Sequence, residues 1–167
     1  MKKLVSTAVA ALALVSAGSA SAQTFASTPG SYTFSGSSVK VQKGNGPVLT
    51  CTMSIDIINT SGTITADNPV LTGNFGFCDT VVLMGQAWPV SSSGPTYTVG
   101  DAITDPVYAD TTITPGDCQG VIPADYSALG TTEDLTIDFG FPTSPIASTM
   151  PQVSSGGPCK IDGTISW

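Results

Sequence analysis

Between Leu49 and Ile57 the chain alternates without interruption: Leu49, Cys51, Met53, Ile55 and Ile57 share one parity, and Thr50, Thr52, Ser54 and Asp56 share the other. Consecutive side chains of an extended strand point to opposite faces, so this pattern predicts a strand with one face in a core and one in water. Leu71, Gly73, Phe75 and Phe77 repeat it, as do Leu135, Ile137, Phe139 and Phe141, and Ile161, Gly163, Ile165 and Trp167. Turn-forming clusters lie between these segments at Asn59-Thr60-Ser61-Gly62, Ala66-Asp67-Asn68-Pro69, Ser93-Gly94-Pro95, Thr114-Pro115-Gly116-Asp117 and Ser155-Gly156-Gly157-Pro158. After the N-terminal segment no window places apolar residues at the three-and-four spacing of a helix, although a brief helical turn fits residues 124–129. Antiparallel strands with one apolar face bury it by stacking. The expected fold is therefore all-β, an antiparallel β-sandwich of short strands, with a small β-barrel as the alternative. Residues 142–158, rich in Pro and Ser, read as an irregular surface connection. The most apolar stretch, Phe75, Phe77, Val81 to Met84 and Trp88, reads as core, with an exposed patch as the alternative.

The first 22 residues have the form of an export signal: Lys2 and Lys3, an apolar run from Leu4 to Val15, and the small-residue site Ala20-Ser21-Ala22. The run is too short to span a bilayer, which takes about 20 apolar residues. The expectation is cleavage near Ala22, one secreted β-domain over residues 23–167 without a transmembrane segment, and a destination in the periplasm, at the cell surface or in the medium.

What remains after that cleavage carries Lys40, Lys43 and Lys160 against eleven Asp and Glu133, a charge of −9 with no Arg. Such a chain cannot neutralise phosphates, which excludes nucleic acid as a partner. Four cysteines, Cys51, Cys78, Cys118 and Cys159, would enter an oxidising compartment, where an even count predicts two disulfides. Their pairing stays open: the apolar parity of Cys51 and Cys159 favours joining those two, whereas loop closure favours Cys51 with Cys78.

No His is present, which removes the Ser-His-Asp and Cys-His arrangements and the commonest general base. The cysteine gaps contain no C-x-x-C hook, so no zinc site is expected. Glu133, Asp134 and Asp138 are the one acidic group dense enough for a glycosidase pair, and a solvated strand rim accounts for them better. Asp101, Asp105, Asp110 and Asp117 could turn oxygens toward Ca²⁺, but match no calcium loop, and Asp is a favoured turn residue. The reading is a protein with no catalytic residue, no cofactor and no metal site. Trp167 at the end of an alternating strand is shared with outer-membrane barrels, yet the Pro and Gly interruptions and the lack of aromatic girdles oppose that architecture.

Several motifs together resemble the bacterial alkane-oxidation protein activators, a family of small secreted proteins. They are Gly30-Ser31-Tyr32-Thr33-Phe34-Ser35-Gly36, Leu49-Thr50-Cys51-Thr52, Cys78, Trp88-Pro89-Val90, Cys118-Gln119-Gly120 and Gly163-Thr164-Ile165-Ser166-Trp167. The stretch from Gly94 to Met150 looks longer than the family's usual second half. The resemblance implies a non-enzymatic accessory that helps cells meet a water-insoluble substrate, with a hydrocarbon interface or cell-surface components as partners. Two rival classes follow from the residues. A charge-poor, Thr- and Gly-rich β-domain could self-associate into a surface fibre or matrix by strand addition, with residues 160–167 as the exchanged strand. A carbohydrate-binding module could use Tyr97, Tyr108 and Tyr126 as its aromatic platform.

Overall fold

The computed structural model describes residues 28–93, 96–112, 117–129, 132–138, 150 and 158–167. The signal segment and most of the Pro-rich connection lie outside them. Among the described residues the chain forms eleven strands: β1 (Gly30–Lys43), β2 (Leu49–Thr60), β3 (Thr63–Thr72), β4 (Val81–Met84), β5 (Trp88–Ser93), β6 (Thr96–Val99), β7 (Val107–Thr111), β8 (Cys118–Gly120), β9 (Ile122–Leu129), β10 (Thr132–Asp138) and β11 (Cys159–Ser166). Two short 3₁₀ turns, Asn74–Gly76 and Cys78–Thr80, join β3 to β4.

The parity of β2 is the one its sequence shows. Leu49, Cys51, Met53, Ile55 and Ile57 are buried, while Thr50 and Thr52 face out. The β2–β3 hairpin turns on Ser61 and Gly62, both at positive φ (54° and 97°), with Thr60 paired to Thr63. Two left-handed residues make the primed turn whose twist suits paired strands. Asn59, itself buried, accepts the Gly62 amide at 2.9 Å through its side-chain oxygen.

β1 pairs with β2 on one side and β11 on the other, and the order runs β1-β11-β10-β9-β6-β5-β3-β2 back to β1. Of the two antiparallel arrangements open to the sequence, these eight strands follow the barrel. Long β1 can serve both neighbours because it carries a bulge, with the register shifting between Gly36 and Val39. Closure is lightest between β3 and β5, which pair only at Thr65 with Pro89 and Ala66 with Trp88. Phe34, Val39, Met53, Ile57, Trp88 and Ile165 fill the interior. An apolar interior with Thr and Ser outside is the reverse of an outer-membrane barrel, whose apolar band faces lipid.

A second sheet, in the order β4-β7-β8, shares the same core through Leu83, Val107, Ala109 and Cys118. Two disulfides fasten it to the barrel, Cys51–Cys78 and Cys118–Cys159, with Cα separations of 5.7 and 5.9 Å. The pairing follows loop closure: Cys51 takes Cys78, not Cys159.

Four local expectations are corrected. The alternation through Phe77 does not continue β3, because Gly73, Asn74, Phe75 and Gly76 all adopt positive φ and end the strand at Thr72. Residues 66–69 are not a turn: Asn68 (φ 49°) makes a bulge inside β3. The helical turn at residues 124–129 is β9, held between β6 and β10. Residues 160–167, offered as an exchangeable strand, lie almost wholly in β11, which is paired on both edges.

Candidate functional site

Short β4 divides the most apolar stretch of the chain between two faces. Leu83 points into the core, whereas Val82 and Met84 stand about half exposed on the outside. Met84 is directly opposite Tyr108 of β7, also exposed. In the preceding corner Phe75 sits in a left-handed conformation (φ 58°, ψ 33°) and its side chain is fully exposed. Phe77 is half exposed and borders a shallow hollow with Pro47, Val48 and Asn74. Of the stretch expected as core, only Leu83 and Trp88 are fully inside. Val81, on the parity of Leu83, packs partly buried against the core, while Phe75, Phe77, Val82 and Met84 turn outward because a two-sided strand and a left-handed corner place them there.

On the inner side of the small sheet lies a cleft. Val41, Leu49, Leu71, Leu83, Ile122 and Ile161 line it, around a cavity of about 50 Å³ that opens to solvent at its mouth. Its polar members come from β1, β7 and β11. Lys43 continues the inward parity of Val39 and Val41, so the alternation that buries two valines also buries a lysine. Lys43 is only 5% exposed, and its Nζ has no hydrogen-bond partner among the described residues. Lys160, whose β11 position is paired to Gln42, also lines the cleft. Asp110 lines it too, with Oδ1 accepting the backbone amide of Thr111 at 2.7 Å. Composition and charge flagged Lys43 only as a scarce cation. The signal that finds it is its parity with Val39 and Val41.

The other sequence candidates do not assemble. Asp101 accepts the amides of Ile103 and Thr104, both at 2.9 Å, and these two bonds hold its carboxyl below the usual carboxylate range. That is turn chemistry. Asp105 contributes its backbone carbonyl to the same turn, and Asp110 belongs to β7. Among the described residues no three His, Cys, Asp or Glu side chains gather as a metal site would require. Glu133, Asp134 and Asp138 lie in β10, and their side chains lie outside the described residues. Tyr97 is buried, so it forms no platform with exposed Tyr108, and the Tyr126 side chain is also outside the described residues. Among the described residues no helix is long and apolar enough to cross a membrane.

No curated protein and no solved structure matches the chain. A family model described as alkane oxidation protein activator PraA/PraB-like matches residues 1–167. That match spans the motifs of the strands, both disulfides and the outward-facing corner, and the chain belongs to the PraA/PraB-like alkane oxidation protein activator family.

Proposed function

We propose that this protein works outside the cytoplasm as a non-catalytic accessory to alkane oxidation, adsorbing at the boundary between oil and water and so bringing the hydrocarbon to the cell. The family description supports the link to alkane oxidation. Two disulfides and the export signal read in residues 1–22 support a place outside the cytoplasm.

The observation that carries the reading is the outward set Phe75, Phe77, Val82 and Met84. Large apolar side chains held in water by backbone geometry gain free energy when oil takes the place of water. At about 25 cal/mol per Å², a patch of about 300 Å² contributes about 7 kcal/mol before ordering costs. No pocket is needed for that contact.

Pendant-drop tensiometry on hexadecane tests it. The protein is expected to lower interfacial tension well below an acidic globular control of equal concentration. The variant Phe75→Ser/Phe77→Ser/Met84→Ser is expected to fall back to the control while keeping its melting temperature, since none of the three side chains is buried. A wild-type protein no more active than the control would overturn the proposal.

A further inference from the structure

The buried end of β1 presents an unusual combination. An ammonium group with no hydrogen-bond partner among the described residues faces a mostly apolar cleft, although a buried cation is ordinarily paired because leaving it alone is costly. The placement is also selective. Outside the first 22 residues the chain has only Lys40, Lys43 and Lys160 as basic residues, and two of them line this cleft. The rest of the molecule carries Asp and a single Glu, so its overall field repels anions. The cleft is the exception.

We propose that the cleft is a binding site for one linear alkyl carboxylate, its head paired with Lys43 and its tail lying along Leu49, Leu71, Leu83 and Ile161. Three features fix the class. Lys43 and Lys160 against Asp110 leave the cleft one net positive charge, with no Arg, which matches a single negative charge and leaves a doubly charged phosphate under-compensated. Most of the remaining wall is aliphatic and accepts methylenes, and of its polar side chains Gln42 and Asp110 are already engaged with backbone groups. Asp110 does not compete for Lys43: it makes no hydrogen bond to Nζ, and its Oδ1 is engaged by the Thr111 amide. Lys160 adds favourable potential from β11, and Gln42 directs its side-chain amide to the Gly46 carbonyl at 2.9 Å. Desolvation of the head is offset by the pairing of a cation already desolvated, so the uncharged analogue gains the tail contacts alone.

This site stands apart from adsorption at an oil boundary, and its test needs no oil phase. Isothermal titration with decanoate below its micelle concentration is expected to show one-to-one binding, with decanol at least tenfold weaker. Lys43→Met keeps the alkyl stem and removes the charge. It is expected to lose decanoate affinity at least tenfold and to leave decanol unchanged, whereas Lys43→Arg retains most of the decanoate affinity and Lys160→Met loses threefold or less. In the wild type, nuclear Overhauser contacts between decanoate methylenes and the methyls of Leu83 and Ile161 are expected. That measurement holds even if a variant fails to fold. Absence of decanoate binding, equal affinity in Lys43→Met, or contacts mapping to the exposed Phe75 corner would each overturn the proposal.

Discussion

Asp56 on the outer face of β2 shows how single polar residues tie neighbouring strands. Its carboxylate accepts the Thr33 hydroxyl at 2.6 Å from β1 and the Asn68 amide at 3.0 Å from the bulge of β3. These bonds, Thr33 first, hold its pKa below the ordinary 3.8. A carboxyl whose folded pKa is depressed stabilises the fold fully above its unfolded pKa, and the contribution is lost as pH falls through the folded value. Asp56→Asn is therefore expected to melt lower than wild type at pH 6 and to converge on it as pH falls below the ordinary carboxylate range, with a difference below about 1 kcal/mol because water screens the site. Thermal melts across that range check it. At this scale parity was legible and conformation was not. The alternation of β2 names its buried residues, and the same rule extended through Val39 and Val41 reaches Lys43. Gly73, Asn74 and Gly76 are residue types that accept positive φ, but nothing announces that Phe75 joins them, so an aromatic that parity assigns to the core stands in water.

Strands meet most closely where β1 bulges against β11. A Cβ added at Gly36 would run into the Thr164 carbonyl and come within 3.1 Å of the Ile165 side chain. Gly36→Ala is expected to cost about 1–3 kcal/mol, as overpacking does, because a backbone oxygen in a paired strand has little room to move. Gly62→Ala, in the open β2–β3 turn where nothing lies within 4 Å, should cost about 1 kcal/mol for its left-handed backbone alone. Urea unfolding of the two variants separates crowding from conformation, and an equal loss in both would contradict the close approach. The elements themselves were unevenly legible. β2 and β11 follow from their patterns, and the Asn59–Gly62 turn from its residues. Long β1 gives only a weak pattern because Ser and Gly occupy its middle, and β9 hides behind the helix-compatible Ala124 to Leu129. The joining of β1 to both β2 and β11 is a contact between distant segments, which local patterns do not encode.

For the molecule as a whole, two bridges close separate loops with sequence separations of 27 and 41 residues. Removing either is expected to cost about 2–5 kcal/mol. Loop-closure entropy grows only logarithmically, so Cys51→Ala/Cys78→Ala and Cys118→Ala/Cys159→Ala should differ by about 0.4 kcal/mol from this source. Urea midpoints of the two double variants check this, and peptide mapping without reductant should recover only the Cys51–Cys78 and Cys118–Cys159 pairs. The cysteine count disclosed the number of bridges, but their partners depend on which sheets come together. Cys78 leads directly into β4 and Cys118 opens β8, the two edge strands of the small sheet, while Cys51 and Cys159 sit in β2 and β11, the two neighbours of β1. Bolted along both margins, the small sheet has no loose side about which to swing. A ligand of the proposed kind would have to thread a fixed aperture beneath it, so girth rather than the opening of a gate would set what passes and how fast it leaves.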